Sequence, residues 1–415
     1  MATDTARTIE AVWRIESARL IAGLTRLVRD VGVAEDLAQD ALVAALRQWP
    51  ESGVPDHPGA WLMATAKHRA LDHLRRTKLH ARKHEELAHE IESIPAPDLD
   101  QALDDDIGDN LLRLIYIACH PVLPTEGRVA LTLRLLGGLT TSEIARAFLL
   151  SETAVAQRIV RAKRLLAEAR VPFQVPRGAE RAERLESVLE VIYLIFNEGY
   201  AASAGDDWMR PALCEEALRL GRVLAGLSPE EPEVHGLVAL MEIQASRARA
   251  RTGPGGEPIL LLDQNRSLWN GMAIERGWAA LARAQALTDR LGPYALQAAI
   301  AACHARARVA ADTDWPRIAA LYDELALVSP SPVVDLNRAV AHGMAFGPER
   351  GLALADRLAR HPALASYPFL PAARAEFLSK LGRRREARRE YERAAKLTQN
   401  ERERAMWLER ARASE

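Results

Sequence analysis

Residues 139–169, LTTSEIARAFLLSETAVAQRIVRAKRLLAEA, hold the sharpest chemistry-bearing pattern of the chain. Two stretches of helical periodicity flank a turn at Leu149–Leu150. Thr141 or Ser142 is expected to cap the first helix and Ser151 the second. Ile144, Ala145 and Phe148 should face inward against Val155, Ile159, Ala162 and Leu166, and the small Ala145 lets the two helices cross closely. Ser151, Thr153, Ala154 and Gln157 then lie at the exposed start of the second helix, with Arg158, Arg161 and Arg164 along it. Polar side chains at that position reach base edges in a major groove, and guanidinium groups reach phosphates. An ordinary helical hairpin with a solvated basic face fits the same residues.

A second group suits a single nucleic-acid strand. Trp61–His84 contains Lys67, Arg69, Arg75, Arg76, Lys78, Arg82 and Lys83 against one acid, Asp72. The cations offer phosphate contacts. Trp61 is either a stacking surface for a base or a core tryptophan locking its helix onto the first one. Before it, Asp56 and His57 lie in the loop Glu51–Pro58, where their side chains can hydrogen-bond a partner or simply form a turn. A third group is acidic. Asp36, Gln39 and Asp40 fall within about one and a half helical turns, so they share a face suited to a basic partner or merely to water.

These groups need positioning elements, and nearly all of those read as helix. Ala, Leu, Arg and Glu dominate, and aromatic residues are 5% of the chain. Helices are expected over 8–29, ended by Gly32, over 34–49, closed by Pro50, and over 60–79. Glu85–Asp109 has ten acids and no Lys or Arg, and Glu92–Asp106 within it, with Pro95 and Pro97, reads as a linker. It is a solvated tether or a polyanion that shields the basic helix. The expected division is 8–80, an acidic linker over 81–106, a helix-turn-helix unit over 107–171, and a helical-repeat domain over 180–415. Pro172 and Pro176 mark the last boundary. Short helices are expected at 318–328, 333–342, 351–359, 377–382 and 386–397, and LGRRREARREYERAAKL is tetratricopeptide-like.

Three motifs in order carry a family resemblance. VGVAEDLAQDALVAALRQW, with Glu35, Asp36, Leu37, Gln39 and Asp40, resembles the polymerase-clamp helix of the extracytoplasmic-function sigma factors of the sigma-70 family. PGAWLMATAKHRALDHLRR, with Trp61, Arg69, Asp72, Leu74, Arg75 and Arg76, resembles their promoter-melting helix, departing from it at Ala70. Residues 123–166 resemble their −35-reading domain, departing at Ala156. YLIFNEGYAAS, LLLDQNRSLWN and SPSPVVDLNRAVA resemble a C-terminal helical-repeat extension found in one group of these factors. The resemblance implies an all-α protein of two small units and a larger helical-repeat domain, with core RNA polymerase and promoter DNA as partners. It implies polymerase binding by Asp36, Leu37, Gln39 and Asp40. Contact with the −10 element falls to Asp56, His57, Trp61, Lys67, Arg69, Arg75 and Arg76. The extension is expected to regulate, through an unknown protein or ligand. Its candidates are Asn197, Glu198, Tyr200, Asp263, Arg266 and Trp269, which form either a groove or a packing network, with Arg266 the charge partner of Asp263 or Glu198. The alternative is a helix-turn-helix regulator acting independently of polymerase.

Several classes are disfavoured. No GxxxxGK, GxSxG or HExxH motif is present, so no enzyme, cofactor or metal is expected. Cys119, Cys214 and Cys303 form no CxxC pair, which suits a reducing cytoplasm. Met1–Arg14 lacks the apolar core of a signal peptide, and no apolar run reaches the roughly 20 residues of a membrane span.

Overall fold

The computed structural model describes residues 2–85, 107–202 and 208–414. The acidic stretch 86–106, and the side chains of Lys78, Arg82, Lys83 and Glu85, lie outside the described residues. All regular elements among those described are helices. The chain divides into two compact units, residues 1–192 and 193–415. The division falls inside one helix.

The N-terminal unit begins with α1 (Ala2–Val28), α2 (Val31–Ser52) and α3 (Pro58–Glu85). Ile9, Leu20, Ile21 and Leu24 of α1, Ala34, Ala38, Ala41 and Ala45 of α2, and Leu62, Ala66 and Ala70 of α3 are buried. Alanines at the contact faces let the three helices approach closely. The stop signals differ from those expected. Arg29, at φ 57°, ends α1, and the Asp30 side chain caps α2 by accepting from the Val33 N–H at 2.9 Å. Gly32 is therefore a first-turn residue. Pro50 lies inside α2, which runs on to Gly53. There φ 84° and a bond from the Gly53 N–H to the Trp49 carbonyl (3.0 Å) stop it.

After residues 86–106 come α4 (Ile107–Ala118), α5 (Thr125–Leu135), α6 (Thr141–Phe148), α7 (Glu152–Glu168) and α8 (Gly178–Tyr200). The C-terminal unit continues with α9 (Pro211–Leu227), α10 (Pro232–Ala245), α11 (Gly271–Leu287), α12 (Pro293–Arg306), α13 (Trp315–Val328) and α14 (Pro332–Phe346). It closes with α15 (Pro348–Leu358), α16 (Phe369–Lys380), α17 (Arg384–Leu397) and α18 (Glu401–Ala413). Neighbours in sequence pack against one another, as in a helical-repeat array. Proline opens α9, α10, α12, α14 and α15, where its missing N–H costs nothing. Glycine permits close crossings. A Cβ on Gly343 of α14 would lie 3.0 Å from Gly351 Cα of α15 and 2.3 Å from the Phe377 ring of α16.

Candidate nucleic-acid interface

The turn between α6 and α7 is fixed locally. Thr140, not Thr141 or Ser142, caps α6. Its hydroxyl accepts from the Glu143 N–H (3.1 Å), and the Glu143 carboxylate accepts from the Thr140 N–H (2.8 Å), a reciprocal capping box. Thr140 wins because only a residue three before Glu143 can close that ring. Leu149 takes the left-handed conformation at φ 51°, and Ser151 caps α7 by accepting from the Ala154 N–H at 3.1 Å. Ile144, Ala145, Val155, Ile159, Ala162 and Leu166 are buried, and Phe148 is half-buried. Ser151, Thr153, Gln157, Arg161 and Arg164 are exposed, with Ala154 and Arg158 half-exposed. The free start of α7 thus presents hydroxyls and an amide, with guanidinium groups behind them. Ala156, a departure from the family pattern, is exposed on this helix.

On α3, Arg75 and Arg76 are exposed and Lys67 and Arg69 are half-exposed. Arg69 pairs with Asp40 of α2 at 3.4 Å, so two groups assigned to separate jobs are neighbours. Trp61 is half-buried and packs edge-on against Trp49 (5.3 Å between centroids). It therefore helps to hold α3 against α2. Asp56 and His57 are exposed in the loop before α3. Ala70, the other departure from the family pattern, is buried.

Of the acidic group, Asp36 and Asp40 are exposed, and Gln39 is half-exposed and donates to Glu35 at 2.6 Å. Leu37 belongs to the core at 8% exposure. It continues the inward stripe of Ala34, Ala38 and Ala41. Glu35 is also inward, at 2% exposure, and it carries the most telling contact of the unit. It accepts from Arg134 of α5 (2.6 Å) and Lys163 of α7 (2.5 Å). Burial alone would raise its pKa, but the two cations outweigh burial and hold it below the usual carboxylate range. Arg14 of α1 makes a second bridge, to Glu143 of α6, at 2.9 Å. The three-helix module and the helix-turn-helix module are thus joined by ion pairs. Glu35, Arg134 and Lys163 were not distinguished in the sequence as a site. Only the misfit of a charged residue on an otherwise apolar stripe signalled Glu35.

In the C-terminal unit the expected partners rearrange. Glu198 pairs with Arg210, and Asp263 with Arg410 at 3.3 Å. Arg266 pairs with neither. It donates to the carbonyls of His304 (2.6 Å) and Ala307 (2.7 Å) and to the Thr313 hydroxyl (3.0 Å), and it lies over the Trp269 ring at 5.1 Å. A fixed guanidinium fork satisfies several carbonyls at once, which a single carboxylate would not require. Arg247, missed in the sequence, lies between the Tyr200 and Trp269 rings, and Arg251 lies 3.5 Å from the Tyr200 ring centroid. Burial, then Arg247 and Arg266, push the His304 pKa down to about 3, so its imidazole is neutral at pH 7. Asn197 hydrogen-bonds Tyr193. Tyr200, Arg266 and Trp269 therefore share one half-buried network, while Asp263 is exposed and belongs elsewhere.

Comparison with known proteins agrees with this geometry. Sigma-70 region 2 matches residues 15–79 and sigma-70 region 4 matches residues 113–166; a family of unknown function (DUF6596) matches residues 184–285. An uncharacterized protein of Rhizobium meliloti (strain 1021) is 43% identical over 378 residues, 91% of this chain and 89% of that protein. A probable ECF RNA polymerase sigma factor, SigI, of Mycobacterium tuberculosis is 27% identical over 175 residues, covering 42% of this chain and 59% of its own length. The fold and its two matched regions define a DNA-binding protein of the transcription-initiation type. The chain belongs to the extracytoplasmic-function sigma factors of the sigma-70 family, in the group with a C-terminal helical extension. Among the described residues no helix is long and apolar enough to cross a membrane.

Proposed function

We propose that this chain binds core RNA polymerase, directs it to promoters and helps to melt them, with the C-terminal domain modulating that activity. The observation that carries the reading is the pairing, in one compact unit, of an exposed acidic face on α2 with a helix-turn-helix whose α7 start is free. A promoter-specificity factor needs both. Asp36 and Asp40 meet a basic surface of polymerase, with Gln39 beside them. Trp61, Lys67, Arg69, Arg75 and Arg76 of α3, with Asp56 and His57 of the preceding loop, handle the −10 element. Ser151, Thr153, Ala154 and Gln157 lie against −35 base edges, and Arg158 and Arg161 against phosphates. Lys163, on the same helix, is engaged by Glu35, so the described arrangement holds back one cation of the reading helix.

Copurification with core polymerase tests this reading. The wild-type chain is expected to bind. Asp36→Arg is expected to fold normally, because the side chain is exposed, but to bind at least tenfold more weakly, since charge reversal repels a basic partner. Full-strength binding by Asp36→Arg would remove this face from the interface.

A further inference from the structure

The N-terminal unit contains a cleft of about 570 Å³, within the range of small-molecule sites. It lies where α1 and α7 end, with α4 and residues 171–173 completing the wall. This is the opposite end of α7 from the side chains assigned to base edges. Arg26, Arg29, Arg113, Lys163 and Arg170 line the cleft against one acid, Asp30. Asp30 is occupied as the cap of α2, accepting from the Val33 N–H. Two of the cations are occupied as well: Lys163 pairs with Glu35, and Arg113 with Asp109. Arg29 and Arg170 are exposed, and no ion pair holds either side chain among the described residues.

The backbone sets the same two residues apart. Arg29 and Arg170 take the left-handed conformation, at φ 57° and 48°. Among the described residues the only other non-glycine residue so placed is Leu149, in the turn of the helix-turn-helix. This conformation disfavours any side chain with a Cβ, and glycine is the usual residue just past a helix end. After α7 the stop has the geometry that glycine favours. The Arg170 N–H reaches the Ala167 carbonyl (3.1 Å) and the Val171 N–H that of Leu166 (3.2 Å). A helix C-terminus attracts a cation, but Arg26 in the last turn of α1 already meets that need. Two arginines thus accept an unfavourable backbone beside one cleft, with long side chains free to close on a ligand in it.

We propose that this cleft binds a small anion carrying two linked phosphate groups, held by Arg29 and Arg170. A planar guanidinium meets a phosphate through parallel N–H donors, and two such groups match two phosphates. Arg26 adds to the attraction. Ile117, Leu166 and Phe173 form an apolar part of the wall, which gives a nucleoside room beside the phosphates. The two sources of this chemistry are therefore a free diphosphate and a nucleoside diphosphate.

Calorimetric titration of the full chain with inorganic pyrophosphate tests the site. It is run at about 0.15 M salt, where exposed charges are screened beyond roughly 8 Å. Saturable binding at one site is expected. ADP distinguishes the sources: binding about threefold tighter or more assigns the site to a nucleotide, and equal or weaker binding to a free diphosphate. Arg29→Gly and Arg170→Gly remove the guanidinium groups and suit the left-handed backbone, so thermal melting should not fall. Each should weaken pyrophosphate binding about threefold to tenfold, and the double variant about tenfold or more. A short single-stranded oligonucleotide at equal phosphate concentration should not displace pyrophosphate. Displacement would give these cations to a nucleic-acid backbone and overturn the proposal. Non-saturable binding, or unchanged affinity in the double variant, would also overturn it. The titration contains no polymerase and no promoter, so such a failure leaves the sigma-factor reading untouched.

Discussion

Glu35 in the N-terminal unit and Glu242 in the C-terminal unit are both almost fully buried, and each faces two cations. Arg134, one partner of Glu35, lies 99 residues along the chain, beyond the acidic stretch 86–106. Arg222 and Arg276, the partners of Glu242, are 20 and 34 residues away, on the helices packed beside it. The same device thus joins two modules in one unit and consecutive helices in the other. A buried carboxylate with two cations is weak evidence for net stability but is costly to break from one side. Across modules, that cost makes a contact that holds or releases as a whole. Within an array, it fixes the register of neighbours that glycine and alanine already bring close.

Glu35→Ala and Glu242→Ala should break this comparison most visibly. Glu35→Ala strands two mostly buried cations and should lower the stability of its unit by about 3 kcal/mol. Arg222 and Arg276 are about half-exposed and rehydrate, so Glu242→Ala should cost less; both effects are read as shifted denaturant midpoints. Glu35→Ala should also speed proteolysis within residues 86–106, because the modules it ties would separate. Glu242→Ala should leave that cleavage rate unchanged. Equal cleavage rates for the two variants would show that Glu35 does not hold the modules together.

The pH response sharpens the same contrast with a somewhat smaller effect. Glu35 has a folded pKa below its unfolded one, despite burial, because of Lys163 and Arg134. Its contribution is therefore present above the unfolded value of about 4.3 and is lost as pH falls through the folded value. Glu233 and Glu403 of the C-terminal unit are shifted the other way, raised by burial against lowering by backbone N–H groups and by Thr398 respectively. Their penalty applies above the folded values and is relieved as pH falls below the unfolded value. On acidification from pH 7 to about pH 4, the N-terminal transition should lose stability relative to the C-terminal one. Parallel losses would contradict these environments.

The folding class and the order of modules were legible because helical periodicity, a capped turn at Ser151 and prolines at helix starts are all local signals. Pro232, Pro293, Pro332 and Pro348 each open a helix, a position proline tolerates. The inward set Val155, Ile159, Ala162 and Leu166 followed from spacing alone. Boundaries failed where two local signals competed: Gly32 against the Asp30 cap, Pro50 against Gly53, Thr141 against the Thr140–Glu143 box. Long-range partners were not legible. Arg266 turned to carbonyls near residue 304 and Asp263 to Arg410, because partner choice depends on how distant helices stack. Glu35 was visible as a motif residue, but its inward direction needed the fold.

A finer effect concerns α7. Arg161 is exposed and Arg158 half-exposed, and neither lies in the buried seam. Arg158→Ala and Arg161→Ala should each weaken promoter binding and reduce the salt slope by about 1. Titrations at several salt concentrations check this, and unchanged slopes for both variants would place these side chains away from DNA.

In vitro transcription with core polymerase on a genomic fragment library tests the central claim most directly. The full chain added to core enzyme should produce transcripts from defined start sites that core alone does not make. Core plus the chain yielding no promoter-specific transcript from any fragment would contradict the account.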